Sequence, residues 1–217
     1  VAPEDIHVYS IDEVFIDVTD YLNYSLEEVT VYVYDPSTNQ FIPRGKQYWK
    51  EKAESIWYDR TSGIWQTVWL EFTPKTYIEK VKYFTDIASE SVTISATLFG
   101  SADLKTEIFY QGELMGERVV ACHGGLVTFS VPLKEKHLWE VGKGGLYDVK
   151  FAFGEDKAES YFGLREVRLD GFKFLINGKS VFQRLVLDQG FYPDGIYTAP
   201  TDEDLKRDIK LSLACGF

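Results

Sequence analysis

The sequence predicts a mainly β protein in which two β-sandwiches are followed by a single strand–loop–helix unit. Three observations support this fold class. Apolar and polar residues alternate within the first 35 residues, and short strand-like runs separated by polar or glycine-containing turns fill residues 76–153. From about residue 160 the pattern changes to a hairpin, a long loop and an amphipathic helix. Alternation with a period of two is typical of half-buried strands, whereas apolar residues three or four apart indicate a helix.

The composition argues against two classes of partner. The 217 residues carry a net charge of −11, and a phosphate-binding surface needs clustered Lys and Arg, so we expect no nucleic-acid partner. No apolar stretch approaches the ~20 residues that span a bilayer, so we expect no membrane partner. The aromatic content of 16% favours strands. A chain of this length forms one to three domains.

The cysteines and histidines indicate no metal site and no cofactor. Cys122 and Cys215 lie far apart without the Cys/His spacing of a zinc site, and we expect two buried free thiols. His7, His123 and His137 match no ligand or catalytic motif. Two cysteines do not identify a redox compartment, so the choice between cytoplasm and periplasm stays open.

Residues 1–74 predict a first, partial sandwich. Apolar side chains recur at every second position in two runs, Val14, Ile16 and Val18 and then Val29, Val31 and Val33. Residues 35–39, Asp-Pro-Ser-Thr-Asn, indicate a turn. Residues 58–71 form a tryptophan-rich stretch, in which Gly63 supplies a turn before the apolar run. Because Trp is stable where its ring is buried, Trp65 and Trp69 predict a strand that enters the core.

The loop at residues 36–57 combines basic and aromatic side chains and has two interpretations. In the first, the aromatic and basic groups of residues 43–50 bind a flat or polar ligand, since loops often contain functional residues. In the second, Tyr48 and Trp49 pack over the sandwich edge while Arg44 and Lys46 balance nearby acids. We favour the packing interpretation and keep both open.

Residues 75–160 predict a second sandwich of immunoglobulin-like size. Six strand-like runs lie at residues 78–84, 92–99, 107–110, 117–121, 126–131 and 146–153. A spacing of about 8–12 residues between short strands is typical of a small antiparallel sandwich. We expect no helix in this region, and we expect Trp139 to lie against the sandwich core.

The last part, residues 161–217, predicts the first βα unit of an α/β domain. Asn177-Gly178 between two apolar runs indicates a type I′ hairpin turn, and residues 181–187 are expected to form a strand. Thr201 with Asp204 three residues later predicts a helix start. Gly216 predicts the helix end. The chain starts without Met and stops after this helix, so we expect a piece of a larger protein.

Several motifs together resemble glycoside hydrolase family 2, the β-galactosidase and β-glucuronidase group. Residues 58–71 resemble a signature late in the sugar-binding domain of this family, and residues 17–22 resemble an earlier strand and turn. Leu138-Trp139 and residues 146–149 are similar to the end of its immunoglobulin-like domain. Residues 162–167 and 175–179 resemble the entry to its catalytic (β/α)₈ barrel. The motifs occur in the family order.

The resemblance implies three parts: a partial jelly-roll domain at 1–74, an immunoglobulin-like domain at 75–160 and the start of a truncated TIM barrel at 161–217. It also implies a retaining glycosidase that cleaves terminal β-galactosides or β-glucuronides, in which two carboxyl groups about 5–5.5 Å apart act as acid and nucleophile. The family positions of both glutamates would follow Phe217. Glu71 and Glu166 match structural positions, so we expect no catalytic residue in this chain and no activity of the chain alone.

The first barrel loop contains the expected substrate-binding residues Asp188, Gln189 and Tyr192, because active sites of such barrels lie after the strands. Asp188 would accept hydrogen bonds from sugar hydroxyls and Tyr192 would stack on a sugar ring; a turn-capping role for Asp188 is equally open. Residues 187–195, Leu-Asp-Gln-Gly-Phe-Tyr-Pro-Asp-Gly, depart from the basic or histidine-containing stretch of the family. The sugar is therefore undetermined.

An incomplete barrel leaves apolar surface without a partner. The helix stripe Leu205, Ile209 and Leu213 and residues 181–187 would be uncovered, so we expect residues 160–217 to self-associate or to rest on their own sandwich. A stand-alone carbohydrate-binding module is the alternative function, and a supporting scaffold is a third. A binding module does not require a barrel unit that ends in a helix, so the presence of this unit favours the glycosidase interpretation.

Overall fold

The computed structural model describes residues 6–8, 14–16, 34–43, 45–61, 64 and 72–217. The chain divides into two compact units, Val1–Thr67 and Val68–Phe217. The predictions for the strand at 29–33 and for the tryptophan-rich run at 65–71 lie outside the described residues, as do Arg44 and Glu71. The three-domain division stays a prediction.

In the first unit, two short strands form an antiparallel pair. They are β1 (Ile6–Val8) and β2 (Val14–Ile16), with Ile6 opposite Ile16. The turn predicted at 35–39 is confirmed, since the Asn39 N–H donates to the Pro36 carbonyl at 2.8 Å. Further along the chain, Gln47 and Tyr58 form a parallel bridge that closes the loop between them.

Seven strands of the second unit form two antiparallel sheets. They are β3 (Tyr77–Asp86), β4 (Ser91–Phe99), β5 (Ala102–Tyr110), β6 (Glu113–Cys122), β7 (Gly125–Pro132), β8 (Leu146–Phe153) and β9 (Asp156–Gly163). One sheet has the order β3–β4–β7, and the other has the order β6–β5–β8–β9. The expectation of a mainly β fold is confirmed. All six strands predicted between residues 76 and 153 are present, and no helix occurs between residues 72 and 163.

The two sheets share one hydrophobic core because alternate side chains of each strand point inward. Every second residue of β4 and of β8 is buried: Val92, Ile94, Ala96, Leu98, Tyr147, Val149, Phe151 and Phe153. Burial of each large apolar side chain contributes about 1.5–3 kcal/mol. A one-residue slip of either strand would turn this set toward solvent, so the core fixes the register.

Strand β9 was not predicted from the sequence. Its first five residues, Asp-Lys-Ala-Glu-Ser, contain no β-branched apolar residue. It is a strand because β8 pairs with it along its whole length, from Phe153 opposite Asp156 to Leu146 opposite Gly163. Tertiary pairing here overrides weak local propensity.

A hairpin follows the sandwich and is bonded to it. Its two main strands are β10 (Val167–Asp170) and β11 (Lys173–Ile176), and the short β12 (Lys179–Ser180) pairs with β11 as a third strand. The predicted Asn177-Gly178 turn is confirmed, with φ of 50° and 74°. The Asn177 Nδ2 donates to the Trp139 carbonyl at 2.9 Å, and its Oδ1 accepts from the Glu166 N–H at 3.0 Å. Trp139 itself is half-buried, and the Arg165 guanidinium lies 4.5 Å from the centre of its ring.

The strand predicted at residues 181–187 is wrong. This segment has no ladder partner in the described part of the chain, and most of its side chains are exposed, including Phe182 at 88%. A parallel barrel strand is stable only between neighbouring strands that take its backbone hydrogen bonds. Residues 181–187 are therefore apolar in sequence but form no strand.

The predicted helix is confirmed as α1 (Asp202–Ala214). The Thr201 Oγ1 accepts from the Asp204 N–H at 3.3 Å. At the other end Gly216 has φ of 91°, and the Phe217 N–H donates to the Ser212 carbonyl at 3.1 Å, which completes a Schellman motif. No helix in the described residues is long and apolar enough to span a membrane.

The expectation of two buried thiols holds for one cysteine only. Cys122 is buried at the end of β6, and burial raises the pKa of its thiol. Cys215 is exposed, because it caps a helix on which no residue is buried. The prediction for Cys215 is therefore wrong.

The Tyr147 hydroxyl connects the sandwich core to the segment before β8. The ring is fully buried and stacks on Phe162 with ring centres 5.1 Å apart. The hydroxyl donates to the Glu135 carbonyl and accepts from the His137 N–H, each at 2.8 Å. Burial raises the pKa of this hydroxyl. Two backbone groups thus depend on one side-chain oxygen.

We predict that Tyr147→Phe lowers the free energy of unfolding by about 1–3 kcal/mol, because it leaves two backbone groups without their partner. Urea unfolding followed by circular dichroism measures the change. Tyr161→Phe removes the same hydroxyl from a ring that is 65% exposed on β9, and it should change stability by less than about 0.5 kcal/mol. Equal losses in the two variants would contradict the prediction.

Candidate functional site

The loop between residue 187 and helix α1 contains the three residues expected to bind substrate. Asp188 and Gln189 are exposed and follow directly on the unpaired apolar segment. The Asp188 Oδ1 accepts from the Gly190 N–H at 2.8 Å, and Gly190 has φ of 60°. Asp188 therefore stabilises a tight turn, as an Asp that bonds the backbone two residues on commonly does.

Tyr192 connects the loop to the helix. It is 7% exposed, and its hydroxyl donates to the Asp208 Oδ2 at 3.0 Å. Burial and the Asp208 carboxylate raise the pKa of the Tyr192 hydroxyl. Its backbone exchanges two hydrogen bonds with Ile196, at 2.8 and 3.0 Å. Because the ring is covered, stacking on a sugar requires the loop to open, and the binding role of Tyr192 stays a prediction.

The turn between Tyr192 and Ile196 has an unusual backbone. Ile196 has φ of 55°, a conformation that β-branched residues rarely adopt. Gly195 has no space for a side chain, because a Cβ there would overlap the Thr198 carbonyl. Such strain persists where surrounding contacts hold it and is frequent at functional sites. The loop is thus a shaped turn rather than an extended connection.

The aromatic loop at residues 46–58 is a second candidate. Tyr48 is buried and stacks on Trp57 with ring centres 5.9 Å apart, and Trp49 meets Trp57 edge-on at 5.2 Å. The Tyr48 hydroxyl donates to the Glu54 Oε2 at 3.1 Å, and the Lys50 ammonium lies 5.6 Å from the Tyr48 ring. These rings pack on one another, which supports the packing interpretation of this loop.

The described residues hold no cluster of three His, Cys, Asp or Glu side chains arranged for a metal ion. His137 stacks on Tyr110 with ring centres 3.8 Å apart, and its Nε2 lies 3.2 Å from the Glu135 Oε2. Glu166 contacts the Arg168 Nε at 3.7 Å and donates its N–H to Asn177. Both residues have contacts that fit a structural role.

The comparisons with known proteins relate the chain to glycosidases. No protein-family model matches it. A beta-galactosidase of Leuconostoc mesenteroides subsp. mesenteroides is 32% identical over 149 residues, which cover 57% of this chain and 14% of that protein. The β-glucuronidase of Ruminococcus gnavus has a similar fold, both without ligand and with D-glucuronic acid. Each superposes with a TM-score of 0.53 and 19% identity over 63% of this chain and 24% of that one.

These findings confirm the resemblance to the β-galactosidase and β-glucuronidase group of glycoside hydrolases. The structural likeness, at 19% identity, shows the fold alone. The matched parts are a small share of both relatives. The activity, substrate and partners of the whole protein therefore belong to the proposal below.

We predict that Tyr192→Phe lowers the hydrogen-exchange protection of the Tyr192 and Ile196 amides by roughly tenfold, because it removes a bond to a carboxylate that connects loop and helix. Exchange followed by NMR measures the change. Asp208→Asn keeps an oxygen acceptor at the same place and should lose less protection. Unchanged protection in Tyr192→Phe would show that the loop is held by its other contacts.

Proposed function

We propose that this chain is a non-catalytic part of a retaining β-glycosidase that removes terminal β-galactoside or β-glucuronide residues from carbohydrates. One observation carries the proposal: the 32% identity to a beta-galactosidase over 149 residues. The shared fold with a β-glucuronidase supports it. The motifs of the sequence resemble the same β-galactosidase and β-glucuronidase group.

The proposed architecture has three parts: a partial jelly-roll domain at 1–74, an immunoglobulin-like domain at 75–160 and the start of a (β/α)₈ barrel at 161–217. The seven antiparallel strands of β3 to β9, in sheets of three and four around one core, support the second part. The hairpin, the shaped loop and the capped helix α1 support the third. In this arrangement the sandwiches support a barrel whose loops bind the sugar.

In retaining glycosidases one carboxylic acid protonates the leaving oxygen while a second carboxylate attacks the anomeric carbon. We assign neither role to this chain. Glu166 contacts Arg168 and Asn177 at the base of the hairpin, which supports a structural role. Glu71 belongs to the motif at residues 58–71, and the family position that it matches is structural. The catalytic pair would belong to later parts of the barrel.

The contribution of this chain to the sugar site is the loop after residue 187. Asp188 is exposed, and a carboxylate has about four acceptor positions, so the bond from Gly190 leaves capacity for sugar hydroxyls. Gln189 lies beside it and offers both a donor and an acceptor. Tyr192 holds the loop against the helix through Asp208.

The alternative is a stand-alone carbohydrate-binding module without catalysis. If its sugar site were the aromatic loop at residues 46–58, the rings of that loop would need faces open to a sugar. The rings at residues 48, 49 and 57 pack on one another instead. The glycosidase proposal is therefore the better supported of the two.

We predict that this chain alone does not hydrolyse 4-nitrophenyl β-D-galactopyranoside or β-D-glucuronide, whereas the full-length protein that contains it hydrolyses one of them with retention. Release of nitrophenol measures the rate, and NMR of the first sugar product gives its anomeric configuration. In the full-length protein, Asp188→Ala should lower kcat/KM by roughly tenfold, because a charge-assisted hydrogen bond is lost.

The matched control is Asp194→Ala, which removes an exposed carboxylate from the turn of the same loop and should leave kcat/KM within about twofold. Turnover by this chain that is abolished by changing one of its own glutamates would overturn the assignment of no catalytic residue. Absence of any glycosidase activity in the full-length protein would overturn the proposed function.

Residues 160–217 expose apolar side chains that could associate with a second copy of the chain. Phe182, Leu185 and Leu187 are exposed, and so are Ile209 and Leu213 of the helix stripe. The expectation that these side chains rest on their own sandwich is therefore wrong. We propose that this surface associates with a second copy when the chain is isolated, since contiguous exposed apolar surface promotes association.

We predict that the isolated chain is dimeric or larger by size-exclusion chromatography with light scattering, and that Ile209→Glu with Leu213→Glu shifts it toward the monomer. Charges on the helix stripe oppose burial of that face. Leu126→Glu places a charge on an exposed leucine of β7 and serves as the control, with no expected shift. A strictly monomeric chain would contradict this prediction.

A further inference from the structure

The outer face of the four-stranded sheet contains a groove that the proposed function does not use. Its volume is about 340 Å³, within the range of small-molecule sites. It is lined by Phe109, Gly112, Asp148, Val149, Lys150, Glu159 and Ser160. The groove crosses β5, β8 and β9, and the turn between β5 and β6 bounds it at Gly112.

One row of side chains across this face places an acid between two aromatic rings. Phe109 lies opposite Asp148, and Asp148 lies opposite Tyr161. Neighbouring strands are about 4.8 Å apart, so the two aromatic positions stand about 10 Å apart on either side of the carboxylate. Tyr161 is 65% exposed, although the inward residues of β9 serve the core. These outward rings contribute nothing to the core.

The adjacent row supplies charged groups of both signs. Lys150 lies opposite Glu107 on one side and Glu159 on the other. The Lys150 ammonium is 3.7 Å from the Glu159 Oε1 and 5.6 Å from the centre of the Phe109 ring. The groove therefore presents a donor and two acceptors, Asp148 and Glu159, beside an aromatic ring.

This combination matches the surface of a sugar. A pyranose ring has an apolar face of C–H groups, which packs on an aromatic side chain, and a rim of hydroxyls, each of which donates and accepts. Adjacent rings of a linear β-linked glycan are about one strand spacing apart, so two positions about 10 Å apart suit the first and third rings of a trisaccharide. The charged groups here are three carboxylates, Glu107, Asp148 and Glu159, and two ammonium groups, Lys105 and Lys150. This excess of acid, on a chain of net charge −11, disfavours an anionic ligand.

We propose that this groove and the Tyr161 position beside it form a second carbohydrate site, which binds a neutral β-linked trisaccharide on the outer face of the sandwich. The site is separate in sequence from the loop at residues 188–192 and requires no hydrolysis. A bound glycan here would hold a polymeric substrate near the protein. Phe109 in the groove and Tyr161 beside it would contact the ring faces. Asp148 and Glu159 would accept from hydroxyls, and Lys150 would donate.

The test uses the 217-residue chain and cellotriose, a linear β-linked trisaccharide of glucose. It contains neither a galactoside nor a glucuronide, so we expect no binding of it at the proposed substrate loop. Saturation-transfer difference NMR should show saturable binding with a Kd on the order of millimolar, as suits an open site with few contacts. Tyr161→Ala and Asp148→Asn should each weaken binding by roughly tenfold. D-Glucuronate should show no binding that Tyr161→Ala or Asp148→Asn weakens.

Matched controls come from the same unit. Phe84→Ala removes an exposed aromatic ring from the other sheet, and Asp103→Asn neutralises an exposed carboxylate at the far end of β5, and both should keep the wild-type Kd. Circular dichroism checks that every variant keeps its sheets. Absence of cellotriose binding, equal weakening in the controls, or D-glucuronate binding that Tyr161→Ala weakens to the same extent would overturn the proposal. Cellotriose binding together with an inactive full-length protein would overturn the glycosidase proposal alone.

Discussion

The core between the two sheets of the second unit is the constraint on which the rest of that unit depends. Alternate residues of β4 and β8 are buried, and each inward side chain requires its strand to keep one register. The same register turns the intervening residues outward. The row that places Asp148 between Phe109 and Tyr161 therefore follows from the core packing, as does the fully buried position of Tyr147. The hairpin depends on it in turn, because Asn177 bonds to the backbone of Trp139 beside the core.

Local signals in the sequence predicted the elements whose stability is local. The Asn177-Gly178 turn and both ends of helix α1 are determined by residues within one turn of the chain, and the structure has them where the sequence indicates. Strands β3 to β8 were predictable because their alternation matches a two-faced sheet. Sequence alternation failed to predict one strand, β9, and predicted one that does not form, at residues 181–187. The first is a strand because β8 pairs with it, and the second is not a strand because the described residues offer it no partner.

The candidate sites were less predictable than the fold, because they depend on contacts between distant residues. The sequence places Asp188 in a loop, but the bond from Gly190 shows that its carboxylate also forms the turn. The bond from Tyr192 to Asp208 spans 16 residues and depends on how the loop returns to the helix. The groove requires three strands in register, and no motif along the chain encodes that register. Of the two interpretations of the aromatic loop, packing was favoured from the sequence, and the mutual stacking of Tyr48 and Trp57 supports it.

The two ends of the second unit differ in what stabilises them. The sandwich buries its apolar residues within itself, so its stability is internal. Helix α1 has 13 residues, none of them buried, and an isolated helix of that length is marginal in water even with good caps. Covering Leu205, Ile209 and Leu213 would contribute about 1.5–3 kcal/mol for each side chain, which is more than the caps supply. The order of the loop around Tyr192 is coupled to that helix through Asp208. A surface that covers the helix stripe therefore also stabilises the proposed sugar-binding loop. Assembly on that stripe and ordering of the loop are thus coupled.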